Sequence, residues 1–130
     1  MRKIKEVIKK QAQSFKYAFQ GAFYMFKTES HAKFHLLAAM LTVALGFFFS
    51  LTLMEWCLII ICTFSVFAAE AFNTAIEELT NLVSPEHHPL AGRAKDVAAG
   101  AVLLTAIGAV SCGVLIFLPK ILALLFYYSQ

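Results

Sequence analysis

Three long apolar runs, separated by short polar segments, dominate the hydrophobic pattern of this chain. The uncharged runs are 36–54, 56–69 and 97–118. A helix needs about 20 apolar residues to cross the hydrocarbon core of a bilayer, and the second run continues with helical periodicity into a more polar stretch. The pattern therefore predicts three transmembrane helices: 34–54, 56–81 and 96–119.

The first 30 residues follow a different, amphipathic pattern. Apolar side chains there fall within roughly 80° of a helical wheel, and the lysines lie outside that arc. The apolar set is Ile4, Ile8, Ala12, Phe15, Phe19, Ala22 and Phe26. A basic amphipathic helix lies in the headgroup plane of a membrane, so we expect a surface helix over 1–30. A soluble helix docked on a partner is the alternative.

The composition agrees with a membrane protein. The chain is 60% hydrophobic and 15% charged, with a mean hydropathy of +0.73, whereas soluble domains carry about 25% charged residues. Its 130 residues are expected to form a single membrane domain over 1–130 with an all-α fold. The three cysteines lie in apolar runs without metal or redox spacing, so we interpret them as small membrane-embedded hydrophobes.

The basic residues predict the orientation of the chain. Eight of the eleven Lys and Arg residues precede residue 34, Arg93 and Lys95 lie in the 80–96 loop, and the 50–55 turn has none. Cytoplasmic segments carry the excess of basic residues, so the N-terminus and the 80–96 loop should be cytoplasmic. The expected partner of this charge is an anionic lipid surface, not a nucleic acid.

One face of the second predicted span carries the candidate chemistry. Glu70, Asn73 and Glu77 fall within roughly 60° of one another and span about 10 Å of helix axis. Ionisable groups in a membrane helix are expensive and usually functional. Their oxygens suit Mg²⁺, and Lys95 beside Asp96 suits a phosphate group. Phosphoryl transfer uses a bound metal ion, a cation that contacts the phosphates and a carboxylate that accepts a hydroxyl proton, and these residues suit those roles. Their spacing alone does not identify the reaction.

Two longer motifs carry a family resemblance. The segment 70–77, Glu-Ala-Phe-Asn-Thr-Ala-Ile-Glu, and the segment 88–102, His-Pro-Leu-Ala-Gly-Arg-Ala-Lys-Asp-Val-Ala-Ala-Gly-Ala-Val, resemble the small integral-membrane lipid kinases of bacteria. That family contains the prokaryotic diacylglycerol kinase and the undecaprenol kinase. The resemblance covers nearly the whole chain and includes Glu29 and the Glu55-Trp56 pair. It implies an ATP- and Mg²⁺-dependent kinase that phosphorylates the primary hydroxyl of a membrane lipid.

The resemblance also implies roles for individual residues. Glu70 matches the catalytic carboxylate that accepts the proton of the lipid hydroxyl, and Glu29 and Glu77 match the pair that binds the nucleotide's magnesium. The nucleotide-binding set is Lys10, Tyr17, Glu29, Glu77, Glu86, His87, His88, Lys95 and Asp96. The substrate-binding or site-ordering set is Glu70, Asn73 and Trp56. The chain departs from the family pattern at Asn81, where the family usually carries Asp.

The resemblance further implies a homotrimer in the bacterial inner membrane, with active sites shared between subunits and facing the cytoplasm. Similarity around the 73–77 segment, Glu55-Trp56, and His31 and His35 favours the undecaprenol kinase branch over the diacylglycerol branch. Both lipids expose a primary hydroxyl, so the chemistry is common to both.

Other interpretations of these residues remain open. A small oligomeric transporter with an intramembrane carboxylate also accounts for Glu70, but it leaves Lys95 and Asp96 without a role. A non-catalytic membrane assembly subunit is a third possibility. Glu78 points about 100° away from Glu77 and is expected to be solvated. Arg93 is interpreted as a positive-inside anchor.

Overall fold

The structure, a computed structural model, describes residues 2–86 and 88–128 and consists of helices joined by short connections. The helices are α1 Arg2–Thr28, α2 Ser30–Phe48, α3 Leu53–Val83 and α4 Pro89–Tyr128. Of these, α2, α3 and α4 are long and apolar enough to cross a membrane. The expected all-α fold with three candidate spans is therefore confirmed. Helices are the natural outcome, because hydrocarbon offers the backbone no other hydrogen-bond partners.

The first membrane helix ends earlier than predicted, since α2 ends at Phe48 and the predicted span ends at residue 54. At the end of α2, Ser50 adopts a positive φ of 49°. The Ser50 and Leu51 amides donate to the carbonyls of Phe47 and Gly46, at 3.2 and 3.1 Å. This is the Schellman arrangement, with a serine in the left-handed position that glycine usually takes. It ends α2 at Phe48, although the uncharged run continues.

A capping box then begins α3. The Glu55 amide donates to the Thr52 hydroxyl at 3.3 Å, and the Thr52 amide donates to the Glu55 carboxylate at 2.8 Å. Two otherwise unpaired backbone donors are thus satisfied at this helix end. Glu55 therefore helps to define where α3 begins.

Helix α4 extends beyond the predicted span. It passes through Pro119 and ends at Tyr128, whereas the predicted segment ends at residue 119. Proline removes one backbone donor and disfavours a helix interior, but here the helix continues. Just beyond the proline, Lys120 Nζ lies 3.0 Å from Glu55 Oε1, which connects α4 to the start of α3.

The core lies at the end of the bundle where α3 begins. Leu51, Ile59, Ile116 and Phe117 form a buried cluster, and Trp56 packs against it. Helices α3 and α4 make the most extensive contact between elements. Most other large apolar side chains are exposed, as expected for helices whose outer surfaces face lipid.

Gly46→Ala is expected to destabilise the fold, because α2 approaches Trp56 closely at this position. A Cβ atom at Gly46 would lie 2.6 and 2.9 Å from two carbons of the Trp56 ring and 3.2 Å from Leu51. Overpacking a close contact of this kind typically costs about 1–3 kcal/mol. The expected result is a lower melting temperature in detergent micelles.

Gly108→Ala is the matched control, since it makes the same change in a membrane helix. A Cβ atom at Gly108 meets nothing within 4 Å. Its melting temperature should stay at or slightly above that of the unchanged protein, because alanine favours a helix more than glycine does. Equal melting temperatures for the two variants would contradict the tight Gly46–Trp56 contact.

Candidate functional site

Glu70 is the most deeply buried ionisable side chain among the described residues. It lies on α3 with 2% of its surface exposed, beside the buried residues Ala69, Asn73 and Thr74. Its Oε1 atom makes no hydrogen bond within the described part of the chain. Burying a carboxyl group costs several kcal/mol unless it is paired. Such a placement is retained where the group has a function.

A histidine on the neighbouring helix faces this carboxyl group. His35 Nε2 on α2 lies 3.3 Å from Glu70 Oε1, and their side chains are 20% and 3% exposed. The distance is that of an ion pair, but Oε1 remains without a hydrogen bond, so the two groups are close without being aligned. This contact is not predicted from the sequence, because it joins two helices and no local pattern indicates which side chains of α2 face α3.

Asn73 and Glu77 form the second part of the site, as their i, i+4 spacing predicts. Asn73 Nδ2 donates to Glu77 Oε1 at 3.1 Å. Asn73 Oδ1 is buried and has no hydrogen-bond partner among the described residues. The amide therefore orients the Glu77 carboxylate while leaving an oxygen acceptor beside it. Carboxylate and amide oxygens together are typical ligands of a hard cation.

Glu29 enters the site from the break between α1 and α2. It is the half-buried N-cap residue of α2, and its side chain makes no capping hydrogen bond. Glu29 and Glu77 are near enough for their negative charges to act on the Glu70 carboxyl group, so Glu29 lies on the same side of the protein as this group.

These acidic side chains do not form a complete metal site by themselves. In the described ranges, no three His, Cys, Asp or Glu side chains come close enough to hold a metal ion together. An ion held by Glu29 and Glu77 would therefore take its remaining ligands from elsewhere. Mg²⁺ usually takes one or two protein carboxylates and completes its shell with water and substrate phosphates. The pair Glu29 and Glu77, with Asn73, fits that smaller requirement.

Lys95 provides a positive charge near the start of α4. Its Nζ atom donates to Asn81 Oδ1 on α3 at 2.6 Å. An amide oxygen orients the ammonium group but does not neutralise it, as an aspartate at position 81 would. The contact with Asn81 therefore holds Lys95 in place without neutralising its charge.

The remaining predicted nucleotide residues lie in the loop before α4 and in the first turns of that helix. His88 precedes Pro89, the first residue of α4, and its Nδ1 accepts a hydrogen bond from the Leu90 amide at 3.2 Å. This is an N-cap arrangement, so His88 has a structural role at the helix start. Glu86 and Asp96 are exposed, and His87 lies outside the described residues.

Glu78 is exposed, as predicted, but it also has a specific partner on another helix. It accepts a hydrogen bond from the Tyr24 hydroxyl at 2.8 Å, which ties α1 to α3. The hydrogen bond and the negative charge of Glu78 raise the pKa of Tyr24 above its usual value of 10. Phe26 and Phe67 add an edge-to-face ring contact between the same two helices, with centroids 5.2 Å apart.

Three predicted residues lie away from this site in a single chain. Lys10 and Tyr17 are exposed on α1. At a rise of 1.5 Å per residue, they lie about 22 and 12 Å along the helix axis from Met25, the buried residue near the end of α1. Trp56 packs in the core, about 21 Å along α3 from Glu70. The structure does not bring these three side chains to Glu70.

A groove runs from the site between the three long helices. It has a volume of about 310 Å³ and extends from Phe34 and His35 on α2 to Phe117 on α4. Its lining is mainly apolar, with Thr42 and Thr63 among the few polar side chains. The groove is therefore suited to a hydrocarbon chain, and it begins at the histidine that faces Glu70.

Comparison with known proteins adds a consistent set of relatives. A family model described as prokaryotic diacylglycerol kinase matches residues 16–117. An undecaprenol kinase of Bacillus subtilis is 42% identical over 108 residues, covering 83% of this chain and 88% of the relative. A diacylglycerol kinase of Haemophilus influenzae is 35% identical over 106 residues, covering 80% and 90%. A diacylglycerol kinase of Synechocystis is 35% identical over 113 residues, covering 86% and 65%.

Proposed function

The chain belongs to the prokaryotic diacylglycerol kinase family, and we propose that it transfers the γ-phosphate of ATP to the primary hydroxyl of a membrane lipid alcohol, with Glu70 as the general base. The family makes the chain a lipid kinase, and its three apolar helices make it a multi-pass membrane protein. The transporter alternative is not favoured, because the matching relatives are kinases.

The observation that carries the proposal is the buried Glu70 carboxyl group facing His35. Glu70 lies about 22 Å along α3 from Glu55. With Glu55 at one membrane interface, that distance brings Glu70 near the opposite edge of a hydrocarbon core of about 30 Å. The hydroxyl of a membrane lipid lies at that depth. A carboxylate there can accept the hydroxyl proton as the oxygen attacks the phosphate.

Magnesium is the expected cofactor, held by Glu29 and Glu77 together with the nucleotide phosphates. Asn73 supports this assignment, because it orients Glu77 and leaves a buried acceptor oxygen beside it. When bound, the ion neutralises charge on the phosphates during transfer. The two carboxylates orient the nucleotide, and Asn73 keeps Glu77 in place.

The nucleotide is proposed to bind at the start of α4. Lys95 contacts its phosphates, supported by Asn81, and Asp96, Glu86, His87 and His88 line the nucleotide site. Lys10 and Tyr17 are proposed to reach the site of a neighbouring subunit in a homotrimer. A shared site accounts for their separation from Glu70 within one chain.

The proposed setting is the bacterial inner membrane, with the N-terminus and the site in the cytoplasm, where ATP is available. Helix α1 is proposed to lie on the membrane surface as an amphipathic helix, because its lysines suit anionic lipid headgroups. No nucleic acid partner is expected.

Undecaprenol is our preferred substrate, with diacylglycerol as the second candidate. The preference rests on the 42% identity to an undecaprenol kinase. The apolar groove that ends at His35 accepts a hydrocarbon chain of either kind.

Purified protein in detergent micelles, supplied with Mg²⁺ and γ-labelled ATP, is expected to transfer label to the lipid. Undecaprenol and diacylglycerol are compared at equal mole fraction in the same micelles, and the labelled products are separated by thin-layer chromatography. The higher kcat/KM is expected for undecaprenol. Absence of label in both lipids would contradict the proposed function, and a preference for diacylglycerol would contradict only the choice of lipid.

A further inference from the structure

We propose that His35 is a positioning residue for Glu70, whose ring nitrogen holds one carboxyl oxygen so that the other meets the lipid hydroxyl. The inference rests on the function proposed above, because it assigns His35 a task in the same reaction. His35 has no catalytic or binding role among the residues that the family resemblance assigns to the site.

The contact joins two helices at a nearly dry point of the site. His35 Nε2 and Glu70 Oε1 are 3.3 Å apart, and the glutamate side chain is only 3% exposed. This separation is slightly longer than a well-formed N–H···O hydrogen bond of about 2.7–3.2 Å. Hydrogen bonds in active sites are often long without substrate and shorten when it binds. We expect the His35–Glu70 contact to shorten in this way when the lipid binds.

The other polar neighbours of Glu70 on α3 are already engaged. The Thr74 hydroxyl donates to the backbone carbonyl of Glu70 at 3.0 Å, not to its carboxyl group. The Asn73 amide donates to Glu77. Glu70 Oε1 has no hydrogen bond within the described ranges, so His35 is the donor at hand to orient it. Histidine can donate from Nε2 both as the cation and as the neutral tautomer protonated there.

Small side chains let the two helices approach each other here. Ala32, one turn before His35, is completely buried, and Ala69 directly precedes Glu70 and is 9% exposed. Alanines at an interface between membrane helices allow close backbone approach. The position of the His35 ring is thus determined by helix packing, and an orienting group requires such rigidity.

A second histidine provides a matched comparison. His31 lies on the same helix, one turn before His35, and is exposed. Removing it tests the loss of a neighbouring imidazole, whereas removing His35 tests the contact with Glu70.

The test compares His35→Leu, His35→Gln and His31→Gln in the labelled-lipid assay, each in the unchanged and the Glu70→Gln background. His35→Leu should lower kcat by about 10–100-fold with little change in the KM for ATP, because the base is misplaced while nucleotide binding is not altered. Glutamine carries a donor near the Nε2 position, so His35→Gln should recover kcat to within about fivefold. His31→Gln should stay within about twofold.

In the Glu70→Gln background, His35→Leu should change the residual rate by less than about twofold, because a residue that acts through Glu70 has nothing left to position. An equal loss in both backgrounds would overturn the proposal, as would an unchanged kcat in His35→Leu or a loss that appears only in KM. If His35→Leu does not fold, His35→Phe keeps the ring volume without the donor and replaces it. An inactive unchanged protein would instead reject the proposed function.

Discussion

Glu70→Gln is expected to lower kcat for lipid phosphorylation by about 10²–10⁴-fold, the usual contribution of a positioned general base. The substitution keeps the shape of the side chain and removes its ability to accept the hydroxyl proton. Because Glu70 is buried and faces His35, the amide should fit the same space and leave the fold intact. The loss is measured as kcat in the labelled-lipid assay, with the melting temperature recorded in the same micelles.

Glu78→Gln is the matched control for that experiment. It makes the same change on the same helix, at a carboxylate whose contact is the Tyr24 hydroxyl. A glutamine oxygen can still accept that hydrogen bond, so kcat should remain within about twofold of the unchanged protein. Full activity in Glu70→Gln, or equal losses in both variants, would contradict the assignment of Glu70 as the base.

Lys95→Met is expected to lower kcat/KM for ATP by about 10²–10³-fold, comparable to removing one group that stabilises charge in a transition state. Methionine keeps much of the side-chain length and removes the ammonium group. The reason for the large effect is that Lys95 is held by Asn81 at 2.6 Å, which orients its charge before the nucleotide arrives. Initial rates at varied ATP and saturating lipid give the value.

Arg93→Met controls for the general loss of a positive charge from the start of α4. Arg93 is exposed, and the sequence analysis interprets it as a membrane-orientation anchor. Its removal should leave kcat/KM for ATP within about threefold, because residues two positions apart on a helix point to different faces and Arg93 is exposed. A loss as large as that of Lys95→Met would show that the effect is one of net charge, which would remove the phosphate role of Lys95.

Local sequence patterns predict the number of spans but not all of the helix boundaries. The apolar runs give the number of spans, because their length matches the thickness of a bilayer. The end of α2 is not predictable from them, since it depends on Ser50 in a conformation usually taken by glycine. The continuation of α4 through Pro119 is likewise absent from the pattern, because proline usually indicates a helix end.

Some features of the candidate site are likewise predictable from the sequence, and others are not. The shared face of Glu70, Asn73 and Glu77 follows from helical periodicity alone, and the Asn73–Glu77 hydrogen bond lies within one helix. The magnesium and nucleotide roles come from family resemblance and remain predictions. Trp56, which the family resemblance assigns to the site, lies in the core about 21 Å along α3 from Glu70. The two side chains are therefore not neighbours within one chain.

The sequence by itself determined the class of protein, the three apolar helices and the face of α3 that carries the acidic residues, because each is a property of consecutive residues. Only the tertiary structure decided that His35 faces Glu70, that Tyr24 binds Glu78 and that Asn81 holds Lys95. Each of these contacts joins two helices. Their partners depend on the rotation and closeness of packed helices, which buried small residues such as Ala32 permit and which no local periodicity encodes.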